Sequence, residues 1–479
     1  MVGGLDVLPR ELVSKILSRL PVKLLLRCKC VCKSWFDIIT DPHFATNHYV
    51  VYNNMEEVEE EELLVIRRPF LSGLKTYISL LSWDPKEPKG SVSSEILNPP
   101  YDYDSDHKYW TEIMGPCNGI YFLEGNPNVM MNPSLREFKA LPESQFTTPR
   151  GTYSFTDYSG FGFDPKTNDF KVVVIKDLWL KETDERKPGY WTAELFSLNS
   201  NSWRKLEDDA VLPLPFEIWG SSRVYTYVNH CCHWWSYVSN SVDRRKMQST
   251  RDLVLAFNHV NECFRKIELP RIRYSREEEF ATLVPFEGTI GVIVYPVRGT
   301  EKVLDVWVMK DYWNDESWVK LYSVGPVMVV YKLVGFYGSD RFLWKDSNER
   351  LVMYGSESKK MRDLEVYGKY DSLRAARYTQ SLVSLHRGNE FPHQFVSCCL
   401  VPDPLLNQTD TDLISFLLHL DKATMCVTET RHRRQTRFSS VLFLKYNERG
   451  LFYLYMHEKI IYSQNAHEWK VSSKCTAPF

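Results

Sequence analysis

No stretch of about 18 consecutive apolar residues occurs among the 479 residues, so the sequence offers no membrane span. The richest late run, 441–462, is broken by Lys445, Glu448, Arg449, Glu458 and Lys459. No secretory leader is visible either, because Asp6, Arg10, Glu11 and Lys15 interleave with the early apolar positions. Charge of one sign is lacking: the net is -2, whereas a dedicated nucleic-acid binder carries a basic excess or stripe. The 11 cysteines are odd in number and follow no framework spacing, which suits reduced thiols in a cytoplasmic or nuclear protein. No P-loop, dinucleotide fingerprint, His-Glu-X-X-His or nucleophile elbow appears. The expectation is a chain without catalytic residues, cofactor or resident metal.

Three clusters test that expectation. Cys28, Cys30 and Cys32 recur at spacing two, which on a helix turns successive sulfurs about 200° apart and prevents chelation. Cys231, Cys232 and His233 are the only other tempting ligand set. Adjacent strand residues face opposite ways, and no second Cys/His pair lies at ligand spacing, so a strand packing His233, Trp234 and Trp235 between sheets is expected instead. The basic group His432, Arg433, Arg434 and Arg437 reads as a solvated loop before it reads as a site for an acidic partner.

What is present begins with an ordinary globular composition, 25% charged and 43% hydrophobic, over a length that suits two to four domains. Leu8-Pro9 opens a helix, proline being tolerated where its missing N–H has no partner, and Glu11 complements the helix dipole. Leu12, Val13, Ile16, Leu17 and Leu20 follow at helical spacing, and Pro21 ends the run. A second helical pattern holds Val22, Leu25, Leu26, Lys29 and Val31, and a third holds Trp35, Phe36, Ile38 and Ile39 before Asp41-Pro42. Three short helices of this size expose more apolar surface than they can bury among themselves. Each Leu, Ile or Val buried elsewhere contributes roughly 1.5–3 kcal/mol, so three or four of them favour a docking surface by several kcal/mol.

Leu8-Pro9, Leu12-Val13, Ile16-Leu17, Leu20-Pro21-Val22, Cys30-Val31-Cys32, Lys33-Ser34-Trp35 and Asp41-Pro42 with Phe44 resemble, in order and spacing, the F-box of plant F-box proteins. Leu24 and Cys28 depart from residues common there, a serine and a phenylalanine. The resemblance implies that Leu8, Pro9, Leu12, Val13, Ile16, Leu17, Leu20, Pro21, Val22 and Leu25 bind a Skp-type adaptor, joined through it to a cullin scaffold and a ubiquitin-conjugating enzyme.

Beyond His48 the residues Tyr49, Val50, Val51 and Tyr52 suggest extended chain. Glu56 to Glu62, interrupted only by Val58, then reads as a solvated acidic run at a boundary. From about 63 to 390 short apolar or alternating runs recur (63–66, 77–81, 120–123, 172–175, 224–228, 303–309), separated by turn residues, and the 14% aromatic content adds to the β bias. Six segments share one form, a strand end, a small polar turn, then an apolar and a basic residue. They begin at Val129, Phe161, Leu195, Leu255, Val306 and Val352. In five of them the turn opener precedes the apolar residue by six positions: 132 to 138, 164 to 170, 197 to 203, 258 to 264 and 355 to 361. The fifth in chain order has a longer turn. Each reads as a β-hairpin tightened by Asn or Asp bonding its own backbone. Turn openers recur from 32 (132 to 164) to 61 (197 to 258) positions apart, which brackets the ~40–50-residue blade of a propeller. A large β-sandwich is compatible with the same spacing.

The body also resembles the F-box-associated, kelch-like domain of plant F-box proteins. The resemblance rests on Gly115-Pro116-Cys117-Asn118-Gly119-Ile120, Asn132-Pro133-Ser134-Leu135-Arg136-Glu137-Phe138, Gly160-Phe161-Gly162-Phe163-Asp164, Asn201-Ser202-Trp203-Arg204, Asp305-Val306-Trp307, Glu316-Ser317-Trp318 and a Ser381-Leu382-Val383-Ser384-Leu385 strand. Within the family the layout is similar to S-locus F-box proteins and their pollen-expressed relatives, which implies a pistil S-ribonuclease as target in self-incompatibility. The expected organisation is α+β multidomain: an F-box of three helices (1–48), a linker with the acidic run (49–62), an all-β propeller-like domain (63–395) and an unassigned extension (396–479). The expected role is a non-catalytic substrate receptor in a Skp–cullin–F-box ligase. Long, charged connections at 176–190, 239–251 and 271–279 are candidates for reading the target. A competing reading is a kelch-type propeller enzyme or carbohydrate-binding protein whose helical head props its own body.

Overall fold

In a computed structural model, the described residues are 10–53, 61–67, 76–83, 92–97, 100, 112–145, 147–183, 186–206, 216–218, 224–239, 249–270, 278–299, 301–328, 330–337, 340–368 and 372–386, with the strands 423–427, 438–446 and 452–461. The chain divides into two compact units, Met1–Asn54 with Gly388–Phe479, and Met55–Arg387.

Among the described residues of the first unit four helices form where three were expected: α1 (Arg10–Leu17), α2 (Val22–Cys28), α3 (Lys33–Ile39) and α4 (Pro42–Asn53). Pro21, extended at φ -61°, separates α1 from α2. The residues 49–52, read from sequence as extended, continue α4. Their β-branched pair Val50-Val51 favours a strand locally, but three tertiary and capping contacts outweigh it. Asp41 Oδ1 accepts the His43 N–H at 2.8 Å, an N-terminal cap. His48 Nε2 bonds Leu20 O at 2.7 Å, fixing α4 to the α1–α2 turn. One turn on, the His48 and Tyr52 rings stack at 5.4 Å. The later part of this unit contributes three antiparallel strands, Ala423–Val427, Phe438–Tyr446 and Phe452–Ile461, the second central.

In the second unit strands gather into six sheets. Blade I takes β1 (Glu61–Arg67), β2 (Tyr77–Trp83) and β3 (Ser93–Leu97). Blade II takes β4 (Glu112–Cys117), β5 (Ile120–Glu124), β6 (Val129–Asn132) and β7 (Glu137–Ala140). Blade III takes β8 (Thr152–Asp164), β9 (Asp169–Leu180), β10 (Arg186–Ser197) and β11 (Ser202–Lys205). Blade IV takes β12 (Phe216–Ile218), β13 (Thr226–Val228), β14 (Cys231–Ser239), β15 (Ser249–Asn258) and β16 (Cys263–Glu268). Blade V takes β17 (Glu279–Phe286), β18 (Thr289–Pro296), β19 (Glu301–Met309) and β20 (Trp318–Met328). Blade VI takes β21 (Val330–Tyr337), β22 (Arg341–Asp346), β23 (Arg350–Gly355) and β24 (Lys360–Tyr367). β25 (Arg374–Arg377) then returns to pair with β1 and completes blade I.

The inner strands touch in ring order, β25 against β4, β4 against β8, β8 against β14, β13 and β14 against β17, β17 against β21, and β21 against β25. That closed cycle is a six-bladed propeller and excludes the sandwich. Glu61 and Glu62 of the acidic run start β1, so the linker there is shorter than expected.

All six repeated segments are β-hairpins. Five are third-to-fourth-strand hairpins (β6–β7, β10–β11, β15–β16, β19–β20, β23–β24) and one is the first hairpin of blade III, β8–β9. The six-residue spacing has a direct cause. The apolar residue pairs across the strands with the residue before the turn opener: Met131 with Phe138, Phe163 with Phe170, Phe196 with Trp203, Phe257 with Phe264, Tyr354 with Met361. Three of these pairs bring tilted rings to centroid distances of 4.9, 5.3 and 4.7 Å, where cross-strand aromatic contacts stabilise a sheet. Asn132, Asp164 and Asn258 each accept N–H bonds from residues two or three positions on, at 2.9–3.3 Å. The fifth turn residue is left-handed in all five, with φ from 50 to 54° at Arg136, Asn168, Asn201, Glu262 and Lys359. The longer turn of blade V spans 310–317 and reaches blade IV, with Tyr312 Oη 2.9 Å from His233 Nε2 and the Arg265 guanidinium 4.2 Å above the Trp313 ring.

Two glycines set the seam between blades III and IV. A Cβ on Gly160 would lie 2.4 Å from Cys232 Sγ, and one on Gly162 would lie 2.4 Å from His259 Nδ1. The same close approach lets Tyr227 Oη take the Phe163 N–H at 3.0 Å and Tyr225 Oη the Phe161 N–H at 2.9 Å. Lys171, buried, bonds Asp164 of its own blade (2.7 Å) and, across that seam, Glu262 (2.9 Å) and His259 O (3.1 Å), and Arg204 adds a second ion pair to Glu262.

The segment 381–385, expected as a strand, is an irregular strap that seals the ring on blade II. Asn132 Nδ2 donates to Ser381 O (3.1 Å) and Val383 O (2.7 Å), while Glu137 accepts the Leu385 N–H at 2.7 Å. Gly119 leaves room for it, since a Cβ there would lie 2.4 Å from Ser381 Cβ.

Candidate functional site

The ten residues expected to bind an adaptor fall into three groups. Leu8 and Pro9 lie outside the described residues. Leu12 is 39% exposed on α1, and Ile16, Leu20 and Pro21 are half-buried. Val13, Leu17, Val22 and Leu25 are buried, together with Cys28, Ile38, Ile39 and Phe44. Alternation along α1 explains the division: positions 13 and 17 face the other helices, while 12 and 16 lie one step round the helix. Phe36 on α3 and Val50 on α4 are also exposed, at 42% and 53%. Neither is among the residues the sequence assigns to the adaptor surface, because an apolar stripe shows which residues share a face and leaves open which face points outward. A cavity of about 250 Å³ opens between α1 and the start of α4, lined by Arg10, Ser14, Ile38, Asp41, His43 and Phe44 among others.

Strand direction sorts the propeller's connections onto two ends. Turns between first and second and between third and fourth strands share one end; second-to-third turns and blade-to-blade links share the other. The chain joins the ring at Glu61 and completes it at the strap on Glu137, both at the first end. All three sequence candidates belong to the second end. The stretch 176–190 was expected as an irregular loop, yet 176–180 and 186–190 extend β9 and β10, and Asp177, Leu178 and Trp179 are buried. Trp179 Nε1 donates to Asp177 Oδ2 at 2.8 Å, so an apparently charged stretch is half core. The stretches 239–251 and 271–279 join β14 to β15 and blade IV to blade V; their centres, 240–248 and 271–277, lie outside the described residues.

Burial raises the Cys28 thiol to about 12 and lifts Cys117 and Cys232 well above the ordinary thiol range, which leaves them protonated at neutral pH. Cys232 packs toward blade III with Leu255 and Phe257, whereas Cys231 on the opposite face accepts from Asn258 Nδ2 at 3.3 Å. Among the described residues no group of three His, Cys, Asp or Glu is arranged to hold a metal ion. Trp235 enters the apolar core against blade V, and Trp234 Nε1 donates to Ser159 O at 3.0 Å, so these aromatics pack between blades. Among the described residues no helix is long and apolar enough to cross a membrane. The basic group around Arg433 lies outside the described residues.

Comparison with protein-family models matches residues 5–50 to an F-box-like domain and residues 74–402 to the F-box associated beta propeller domain. Similar proteins of Arabidopsis thaliana include F-box protein CPR1, 26% identical over 395 residues, which cover 78% of this chain and 88% of that protein. F-box/kelch-repeat protein At3g23880 is 23% identical over 326 residues, 66% of this chain and 79% of that protein.

Proposed function

The chain belongs to the family of F-box proteins with an F-box associated β-propeller domain, and on that premise we propose that it is the substrate-recognition subunit of a Skp–cullin–F-box E3 ubiquitin ligase. The observation that carries the reading is the outward apolar set of the F-box, led by Leu12. Leu12, Ile16, Leu20 and Pro21, with Leu8 and Pro9, make the adaptor-binding surface. Val13, Leu17, Val22 and Leu25 hold the helices that present it.

F-box proteins serve in general as adaptors rather than enzymes, and here the mechanism is proximity. The F-box fixes the chain to the adaptor and cullin, the propeller holds a target, and target lysines gain a high effective concentration near the charged conjugating enzyme. The target docks on the end that carries the second-to-third-strand and blade-to-blade connections, since the other end is taken by tight hairpins and by the closing strap. The protein acts in the cytoplasm or nucleus, and a pistil S-ribonuclease is the first target to assay. Co-expression with a plant Skp-type adaptor tests the reading: the two should co-elute in equal amounts. A folded chain that elutes alone while the same adaptor binds another F-box protein would contradict it.

A further inference from the structure

We propose that Ser384 is a modification site, and that its phosphorylation unlatches the strap that closes the propeller. Ser384 is exposed on an irregular segment at the end of the ring. Its hydroxyl lies 3.0 Å from both carboxylate oxygens of Glu137 and donates to them. Glu137 is itself buried and takes the Leu385 N–H at 2.7 Å. Leu385, fully buried, fills a core with Met114, Cys117 and Phe163. The strap's last anchor therefore depends on a neutral donor standing against a buried carboxylate.

A protein kinase using ATP would form the Oγ–P bond at Ser384 and break the γ-phosphoryl bond to ADP, the hydroxyl proton passing to solvent. The product carries close to two negative charges where the donor stood, beside an existing carboxylate, and repulsion replaces the bond. The cation on the same turn, Arg136, is already paired with Glu95. The His386 N–H, which now meets Ser384 Oγ at 3.2 Å, is a single neutral donor and does not offset that charge. Residues 383–386 then lift and withdraw Leu385. The upstream ties, Asn132 to Ser381 O and Ser381 N to Ser134 Oγ at 2.9 Å, keep β25 seated, so the opening is local.

The Leu385 amide reports the latch directly. In the full chain, hydrogen exchange there is expected to be at least tenfold faster in Ser384→Glu than in Ser384→Ala, which removes the hydroxyl without adding charge. Glu137→Gln in the Ser384→Glu background should restore protection, because the amide oxygen still accepts while the repulsion is gone. Equal exchange in Ser384→Glu and Ser384→Ala, or no recovery in the double variant, would overturn the latch. Incubation of the full chain with plant extract and ATP, followed by mass spectrometry, should place phosphate on Ser384. Phosphate on other serines with none on Ser384 would overturn its assignment as the modified residue.

Discussion

Gly162→Ala tests the blade III–IV seam with one methyl group. The new Cβ would lie 2.4 Å from Nδ1, 2.5 Å from Cγ and 2.6 Å from Cε1 of His259, all far inside contact distance. The ring has little freedom to retreat. It is fully buried, meets Phe257 edge-on at 5.1 Å and Tyr227 at 6.0 Å, and holds His230 O through Nδ1 at 3.2 Å. Overpacking of this kind costs about 1–3 kcal/mol, and losing the His230 bond adds about 1 kcal/mol. The total, about 2–4 kcal/mol, lowers the melting temperature of a domain this large by roughly 3–6 °C. Thermal and urea unfolding of Gly162→Ala in parent and His259→Ala backgrounds separates the causes. Removal of the ring should abolish most of the cost, a coupling that only neighbouring residues show. Gly162→Ala melting with the parent, or an unchanged cost without His259, would refute the seam as described.

Acid should weaken the propeller through His259 at the same seam and through His233, which meets Tyr312 of blade V. Burial lowers His233 and His259 to about 4, so the stability they contribute is present above the unfolded value near 6.5 and is lost as pH falls toward 4. For Asp164 and Glu262 burial pushes upward, but the bonds from Lys171, Thr167 and Arg204 outweigh it and hold both below their ordinary values, which adds loss of the same sign at lower pH. Melting temperatures measured from pH 7 to 4 should fall throughout, and a flat profile would contradict this. Lys171→Met strands the buried Asp164 carboxylate and should cost about 3–5 kcal/mol in urea unfolding, while Lys320→Met, at an exposed pair with Asp305, should change stability by less than about 1 kcal/mol. Glu137→Ala frees the strap and should expose the 381–386 segment to limited proteolysis before any other part of the ring; cleavage elsewhere first would refute its role as clasp.

What could be read from sequence was whatever depends on neighbours along the chain. The six-position spacing of the hairpins survives in the fold because an Asx turn and a left-handed fifth residue are local, and so Phe163–Phe170 or Phe257–Phe264 could be paired without knowing the blade. The number of blades could not, because blade III carries two copies of the pattern, blade I carries none, and blade V stretches its turn to reach His233. Helix α4 was hidden by Val50 and Val51, whose local preference yields to a bond from His48 to Leu20, 28 residues away. The strap was hidden for the same reason at larger scale, since Asn132 and Ser381 are separated by 249 residues. In the F-box, periodicity grouped Leu12 with Val13 and Ile16 with Leu17, and only packing against α2–α4 divides each pair into an inward and an outward member. The stretch 176–190 looked like a loop because of its charges; Trp179 buried against Asp177 makes much of it strand.

The most direct test is the affinity of a plant Skp-type adaptor for the full chain, compared with Leu12→Asp and with Met361→Asp. Both side chains are about equally exposed, 39% and 42%, one on the F-box and one on the propeller's outer strand. The account expects Leu12→Asp to weaken binding at least thirtyfold, about 2 kcal/mol, with an unchanged melting temperature, and Met361→Asp to bind like the parent. Equal affinity for all three, or loss in Met361→Asp alone, would contradict the F-box face as the adaptor site.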